Sequence, residues 1–199
     1  MKTFELKGEI RNDFGKKAAK AFRKEGLIPC VIYGNHGEGN INFVVKSSDI
    51  RGLVYTPEVF LVNLDLGKKK MQAILKDLQF HPVKENVLHA DFLHIIETAP
   101  VVIEIPVRLN GLAVGVKSGG KLSLDKRKLK VKALPSKLPQ ILEVNVEHLD
   151  LGKSIQVNQL SFENLQLLDA PNAVVCRVQL TRAARGAAAA AAKAEKEDS

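Results

Sequence analysis

The 199-residue chain contains no tryptophan, two tyrosines and two cysteines. Because large aromatic side chains are scarce, a core must consist mainly of leucine, valine and isoleucine, and the β-branched residues of this set favour strands. Two distant cysteines do not make a disulfide framework, which needs more cysteines in a shorter chain. Cys30 and Cys176 each lie in an apolar run. We therefore predict that both are buried free thiols in strands.

Long apolar runs are also missing. No stretch approaches the roughly 20 consecutive apolar residues of a membrane-spanning helix. The opening sequence, MKTFELKGEI, carries charges where a secretion signal needs an apolar segment. We expect a soluble, cytoplasmic protein without a membrane partner.

Several enzyme signatures are absent from the sequence. There is no G-x-S-x-G nucleophile elbow, no P-loop and no dinucleotide-binding glycine fingerprint. The glycine-rich stretch Gly34–Gly39 leads into a predicted strand, which favours a hairpin over a phosphate cradle. Cys30 has no basic neighbour in sequence that would mark it as a nucleophile. We expect no catalytic residue, no cofactor and no small-molecule substrate.

Positive charge, in contrast, is in surplus. Lysine and arginine number 30 against 22 aspartates and glutamates, which gives a net charge of +8. Residues 1–24 hold eight of the basic residues and three of the acidic ones, a local net charge of +5. This surplus raises the odds of a polyanionic partner, above all a nucleic acid.

The first half of the chain predicts strands mixed with helices. A first strand covers residues 3–10 with a bulge at Gly8, and a helix over 16–25 is closed by Gly26. A second helix runs from a capping Ser47 or Ser48 to about Val54. Further strands are predicted at 28–33, 40–45, 59–66, 71–80 and 87–95, and the pair around Gly67-Lys68 resembles a hairpin.

The second half predicts strands alone. Residues 101–109 alternate between apolar and polar side chains, and strand-like runs recur at 121–124, 129–133, 141–146, 154–157 and 174–180. We therefore expect a mainly β protein with α-helices. Its predicted parts are a domain over 1–95, an all-β domain over 96–181, and a disordered alanine- and lysine-rich tail over 182–199.

The helix predicted at 16–25 is the strongest candidate for nucleic-acid binding. Ala18, Ala21 and Phe22 fall on one side, and the opposite side carries Lys16, Lys20, Arg23 and Lys24. A helix N-terminus suits a phosphate, and nearby Arg11 can pair with phosphate oxygens or base edges. The alternative is an ordinary solvated helix face.

Histidines and a tyrosine form a second group of candidates. His81, His89, Asp91 and His94 lie close in sequence and superficially resemble a metal-ligand set. Strand alternation, however, puts His89 and Asp91 on one face and His94 on the other, so we expect no metal site. His89 and Asp91 can instead contact RNA together. Tyr33 is either a nucleotide contact or a half-buried core residue.

These residues resemble the bacterial ribosomal protein family that binds 5S ribosomal RNA. The first half carries Arg11-x-x-x-Gly15-Lys16, Gly26-x-x-Pro29-x-x-x-Tyr33-Gly34, His81-Pro82 and His89-x-Asp91-Phe92. The second half is similar to the longer, general stress (CTC) form of the family, through Gly115-Val116-Lys117-x-Gly119-Gly120, Leu134-Pro135-x-x-Leu138-Pro139 and His148-Leu149-Asp150-Leu151-Gly152.

The resemblance implies a small N-terminal β-barrel with two or three helices, followed by a β-domain. It implies a structural protein of the large ribosomal subunit, whose partners are 5S rRNA and, as further candidates, neighbouring ribosomal proteins. Carried over by position, the RNA contacts are Arg11, Lys16, Lys20, Arg23, Tyr33, Gln79, His89 and Asp91. Ala19, Ala21 and Phe80 depart from residues common in the family, which puts the contacts beside them in doubt.

Two alternatives remain open from the sequence. A related barrel occurs in the anticodon-binding part of glutaminyl-tRNA synthetases, so a tRNA-binding module is one of them. The other is a metal-dependent enzyme built on His81, His89, Asp91 and His94.

Overall fold

The fold is mainly β, as the sequence predicts. A computed structural model describes residues 2–34, 39–67, 69–96 and 98–181. The predicted tail over 182–199 lies outside the described residues. In the part of the chain that is described, no helix is long and apolar enough to cross a membrane.

Strands and short helices follow one another along the chain. The strands are β1 Lys2–Lys7, β2 Glu9–Ile10, β3 Leu27–Tyr33, β4 Ile41–Lys46, β5 Phe60–Asp65, β6 Lys70–Phe80, β7 Val87–His94, β8 Val101–Asn110, β9 Lys121–Leu124, β10 Lys128–Ala133, β11 Leu142–Asn145, β12 Ser154–Gln156, β13 Gln166–Leu167 and β14 Val174–Gln179. The α-helices are α1 Lys16–Lys24, α2 Ser47–Val54 and α3 Val114–Lys117, and single 3₁₀ turns cover Pro135–Lys137 and Val157–Gln159.

Contacts between residues divide the chain into two units. The first runs to Ile103 and includes Ala133–Gln140, and the second comprises Glu104–Lys132 and the chain from Ile141 onward. The prediction that the second domain is all-β is not fully correct, because the short helix α3 lies between β8 and β9.

The first unit contains one seven-stranded sheet in the order β1-β5-β6-β7-β3-β4-β2. The pairs β1–β5 and β3–β7 are parallel, and the others are antiparallel. Consecutive strands β1 and β2 therefore occupy opposite edges of the sheet, and only Gly8 separates them. A Cβ at Gly8 would lie 2.8 Å from Phe43 Cδ2, so the close approach at this crossing requires glycine.

The core of the first unit lies on one face of this sheet. Ile28, Cys30 and Ile32 of β3 are buried, and Phe43 and Phe92 pack with ring centroids 5.6 Å apart. Helix α2 adds further buried side chains, whereas no α1 residue belongs to this core. The alternate residues of β3 and β7 consequently face outward.

Both cysteines are free and buried, in β3 and β14, which confirms the prediction. Burial raises the pKa of the Cys30 thiol to about 12, an effect that exceeds the opposing field of Arg11. The thiol therefore stays protonated near neutral pH and is a core side chain.

The second unit contains two smaller sheets. One has four strands in the order β11-β8-β10-β13, and the other has three in the order β12-β14-β9. In β10, Leu129 and Val131 are fully buried, and Lys128, Lys130 and Lys132, which alternate with them, are exposed. This alternation gives β10 one apolar side and one basic side.

Candidate nucleic-acid interface

Helix α1 presents its basic side to solvent. Gly15 precedes the helix at φ 94°, a backbone conformation that favours glycine, and the helix begins at Lys16. Lys16 and Lys20 are exposed, and neither forms an ion pair within the described parts of the chain. Of the family departures on this helix, Ala19 is half-buried, and Ala21 is exposed. The prediction that Ala21 lies on the packed side was therefore wrong, because Ala18, Ala19 and Phe22 form that side.

Arg23 ties this helix to the sheet. Its Nε donates a hydrogen bond to the carbonyl oxygen of Leu88 in β7, at 3.0 Å. Helix α1 also packs along β3, outside the core. This hydrogen bond anchors the Arg23 side chain at β7, one residue before His89 in the chain, and uses only one of the five guanidinium N–H donors.

Strand register places predicted contacts from distant parts of the sequence in one row. Asp91 is the partner of Val31 in β3 and of Asp77 in β6. Val31 in turn pairs with Asn42, whose carbonyl oxygen accepts a hydrogen bond from the Arg11 N–H at 3.0 Å. Because Cys30 and Ala90 in the adjacent positions are buried, this row faces outward.

His89 and Asp91 form a polar pair on the same outward face. His89 Nδ1 lies 2.7 Å from Asp91 Oδ1, and the two side chains are 23% and 29% exposed. Although the two atoms are close, the buried His89 Nδ1 forms no directed hydrogen bond with any described residue, so the contact is a polar pair without N–H···O alignment. Gln79 is the register partner of His89 and is exposed. The pair and the amide therefore offer both donors and acceptors to one ligand.

Tyr33 lies at the end of β3, half-buried, on the outward side. Burial raises the pKa of its phenol, and the negative charges of Asp91 and Asp77 raise it further. The phenol therefore stays protonated at neutral pH, and it is the outward placement of Tyr33 that favours the ligand-contact interpretation over the core one.

Arg11 is half-buried at the other end of the row. Its Nη1 donates to the Asp13 carbonyl oxygen at 3.2 Å, and its guanidinium carbon lies 5.8 Å from the centre of the Phe14 ring. The buried Arg11 Nε has no hydrogen-bond partner within the described residues. An unused buried donor of a charged group is costly, which indicates that a ligand or water completes this site.

The sequence analysis missed one residue at this interface and one residue beside it. Phe14 is 65% exposed beside Arg11, where its ring is available for stacking. Phe14 could have been recognised from the sequence, because it is a single aromatic residue in a polar turn that precedes a basic helix. Asp77 escaped notice because its place opposite Asp91 depends on a register shift between Leu75 and Asp77, which alternation alone does not reveal.

The histidine cluster does not assemble into a metal site. His81 Nδ1 accepts hydrogen bonds from the backbone N–H groups of Val83 and Lys84, both at 3.2 Å, and so stabilises the turn after β6. His94 pairs in register with fully buried Ala73, on the face opposite His89. Across residues 2–34, 39–67, 69–96 and 98–181, no three His, Cys, Asp or Glu side chains are grouped to hold a metal ion.

Comparison with known proteins matches both halves of the chain. Residues 6–92 match the ribosomal L25p family, and residues 100–182 match the C-terminal domain of ribosomal protein TL5. The chain is 58% identical to large ribosomal subunit protein bL25 of Porphyromonas gingivalis, over 94% of this chain and 98% of that protein. It is 55% identical to the protein of the same name from Bacteroides thetaiotaomicron, over 97% of this chain and 100% of the relative. The chain therefore belongs to the bL25 family of bacterial ribosomal proteins, in the long form that carries a TL5-type second domain.

Proposed function

We propose that this chain binds 5S ribosomal RNA through the outer face of β3, β6 and β7 together with helix α1. The observation that carries the proposal is the strand register. It aligns Arg11, through Asn42 and Val31, with Asp91, and it puts Gln79 opposite His89. Residues that the family resemblance implies as RNA contacts thus share one surface, although they are far apart in sequence.

Family membership supplies the setting for this surface. The chain is a structural, non-enzymatic component of the large ribosomal subunit and is ribosome-associated in the cytoplasm. Because relatives over nearly the whole chain are named as ribosomal proteins, the ribosome is favoured over the tRNA-binding alternative.

The chemistry of the surface suits an irregular RNA helix. The major groove of regular A-form RNA is too narrow for side chains, but an internal loop widens it and exposes base edges. The α1 lysines then neutralise phosphates and provide salt-dependent affinity. Arg11, Gln79, His89 and Asp91 set the register, since they can hydrogen-bond to base edges or to 2′-hydroxyls.

We also infer that the first unit is a closed β-barrel and the RNA-binding domain. Closure is supported at Gly8, whose N–H donates to the Asp65 carbonyl oxygen at 2.9 Å where the chain passes from β1 to β2. The proposed domains are residues 1–95 for RNA binding and 96–181 for the second domain. The contact-based division lies slightly later in the chain, after Ile103.

Replacing Lys20 by alanine is expected to weaken binding to 5S rRNA and to lower the salt slope by about one unit, because one phosphate contact is lost. The slope is the change in log K with log salt concentration, measured by titration at several KCl concentrations. Since lysines do not read sequence, binding to an unrelated RNA duplex is expected to weaken by a similar factor.

Lys70→Ala provides the matched control. Lys70 is exposed at the opposite end of β6 from Gln79, about 30 Å away along the strand at roughly 3.3 Å per residue. It is expected to leave the slope unchanged. If Lys20→Ala also leaves slope and affinity unchanged, Lys20 is not an RNA contact and α1 is a solvated helix face.

A further inference from the structure

A second basic surface lies in the second unit, which contains none of the residues assigned to 5S rRNA above. Residues 117–132 contain seven lysines and arginines and one acid, Asp125. The net charge of residues 96–180 is only +3, because acidic residues elsewhere in this range offset the positive charge of the cluster. Strand β10 turns part of the cluster into one surface: Lys128, Lys130 and Lys132 are all exposed, and they form the β10 lysine row.

The geometry of β10 fixes these three lysines side by side. Leu129 and Val131 are 0% exposed, so their burial holds the lysines on the outward face. Residues two apart in a strand are separated by about 6.6 Å, which spreads the charges evenly along the face. The row therefore presents a linear array of positive charge on a rigid element.

Little on the protein neutralises this row. Lys130 Nζ lies 3.9 Å from Glu104 Oε1, and both side chains are more than half exposed, so this ion pair is weak. Lys128 and Lys132 form no ion pair within the described residues. By contrast, Lys126 is held by Asp169, whose carboxylate also accepts a hydrogen bond from the Lys130 N–H at 2.7 Å. Asp169 is thus committed to the Lys130 backbone and to Lys126, and Asp125, the acid closest in sequence to the row, is paired with Arg177.

The backbone of β10 is not available for strand addition. The strand lies between β8 and β13, and next to β13 the Lys130 carbonyl oxygen accepts a hydrogen bond from the Leu168 N–H at 2.9 Å. A partner peptide consequently finds no open edge at this point. What the strand offers to a partner is its lysine side chains.

We propose that the β10 lysine row binds the phosphate backbone of double-helical RNA, independently of the outer face of the first unit. Lysine is a compact charge that suits phosphate and does not read bases. Phe162 is the sole phenylalanine, tyrosine or tryptophan in the sequence from 98 to 181, so this part of the chain has few side chains on which bases can stack. The row therefore adds affinity and orientation on a ribonucleoprotein surface, without sequence specificity.

The test compares two triple variants of the full chain. One is Lys128→Gln, Lys130→Gln and Lys132→Gln. The other is Lys117→Gln, Lys121→Gln and Lys153→Gln, which removes the same charge from exposed positions of the same unit outside β10. The probe is a random-sequence RNA duplex of about 24 base pairs, titrated at several KCl concentrations, and circular dichroism checks that each variant is folded.

The β10 variant is expected to lower the salt slope by about two to three units and to weaken binding about 10- to 100-fold near 100 mM salt, because three phosphate contacts are lost. The control triple is expected to change the slope by less than about one unit. Preference for 5S rRNA over the duplex is expected to persist in both variants, so failure of this proposal is distinguishable from failure of the first.

Two results overturn the proposal. One is an equal change of the salt slope in the two triple variants. That result would mean that the lysines of the row act only through the net charge of the protein and do not form a binding site. The other is displacement of the duplex from wild-type protein by poly-glutamate as efficiently as by RNA of equal charge, which makes the row a surface for any polyanion, acidic proteins included.

Discussion

Phe92→Ala is expected to lower the free energy of unfolding of the first unit by about 3–5 kcal/mol, the usual cost of truncating a buried phenylalanine. Phe92 is 0% exposed, and its ring contacts that of Phe43 with centroids 5.6 Å apart. It lies in β7 directly after Asp91, in register with Ile32 and Leu75. Its loss leaves a cavity beneath the polar pair of the proposed interface.

Urea unfolding followed by circular dichroism measures this effect, and Phe80→Ala is the control. Phe80 ends the neighbouring strand β6 and is 45% exposed, so the same truncation is expected to cost less than about 1 kcal/mol. A loss for Phe92→Ala as small as that for Phe80→Ala would show that Phe92 does not anchor the core. A typical domain is stable by only about 5–15 kcal/mol, so the expected loss is a large share.

Asp91→Ala is expected to weaken 5S rRNA binding by about 10- to 100-fold, the cost of losing a hydrogen-bonded base contact. For a random duplex the expected sign is the opposite. Removing a carboxylate from a phosphate-binding surface reduces repulsion, so non-specific binding is expected to stay equal or to strengthen. Titrations of the two RNAs at one salt concentration measure the ratio of affinities, in which purely electrostatic changes largely cancel.

Asp77→Ala removes the same charge from the position opposite Asp91. The Asp77 carboxylate already accepts a hydrogen bond from the Leu78 N–H at 2.9 Å, so it is a backbone contact more than a ligand contact. This variant is expected to preserve the affinity ratio. If Asp91→Ala instead weakens binding to both RNAs equally, Asp91 supports the fold and does not contribute to sequence recognition.

The local pattern of apolar and polar residues predicted most elements of the first unit, because each strand or helix buries one side and exposes the other. The hairpin of β5 and β6, the end of β6 before Pro82, and the limits of α1 all follow from alternation, proline and glycine. The proposed Ser47 or Ser48 cap was wrong. Lys46 still pairs with Leu27, and the Ser47 N–H donates to the Gly26 carbonyl oxygen, so the chain turns from strand to helix without a side-chain cap.

Non-local pairing could not be predicted from the sequence. The parallel pairs β1–β5 and β3–β7 join segments separated by several other elements, and no local pattern encodes their partners. Strand β13, over Gln166–Leu167, is too short to show alternation and was missed. For the same reason sequence and resemblance nominated Arg11 and Asp91 one by one, whereas their common row, and the place of Gln79 opposite His89, depend on the register.

The most direct test of the central claim is the affinity of the full chain for 5S rRNA and for a control duplex of equal length, at several salt concentrations. The proposed interface predicts a preference for 5S rRNA of about a thousandfold or more that persists as salt rises. Equal and steeply salt-dependent binding to both RNAs would contradict it, because a basic surface alone then accounts for all of the binding.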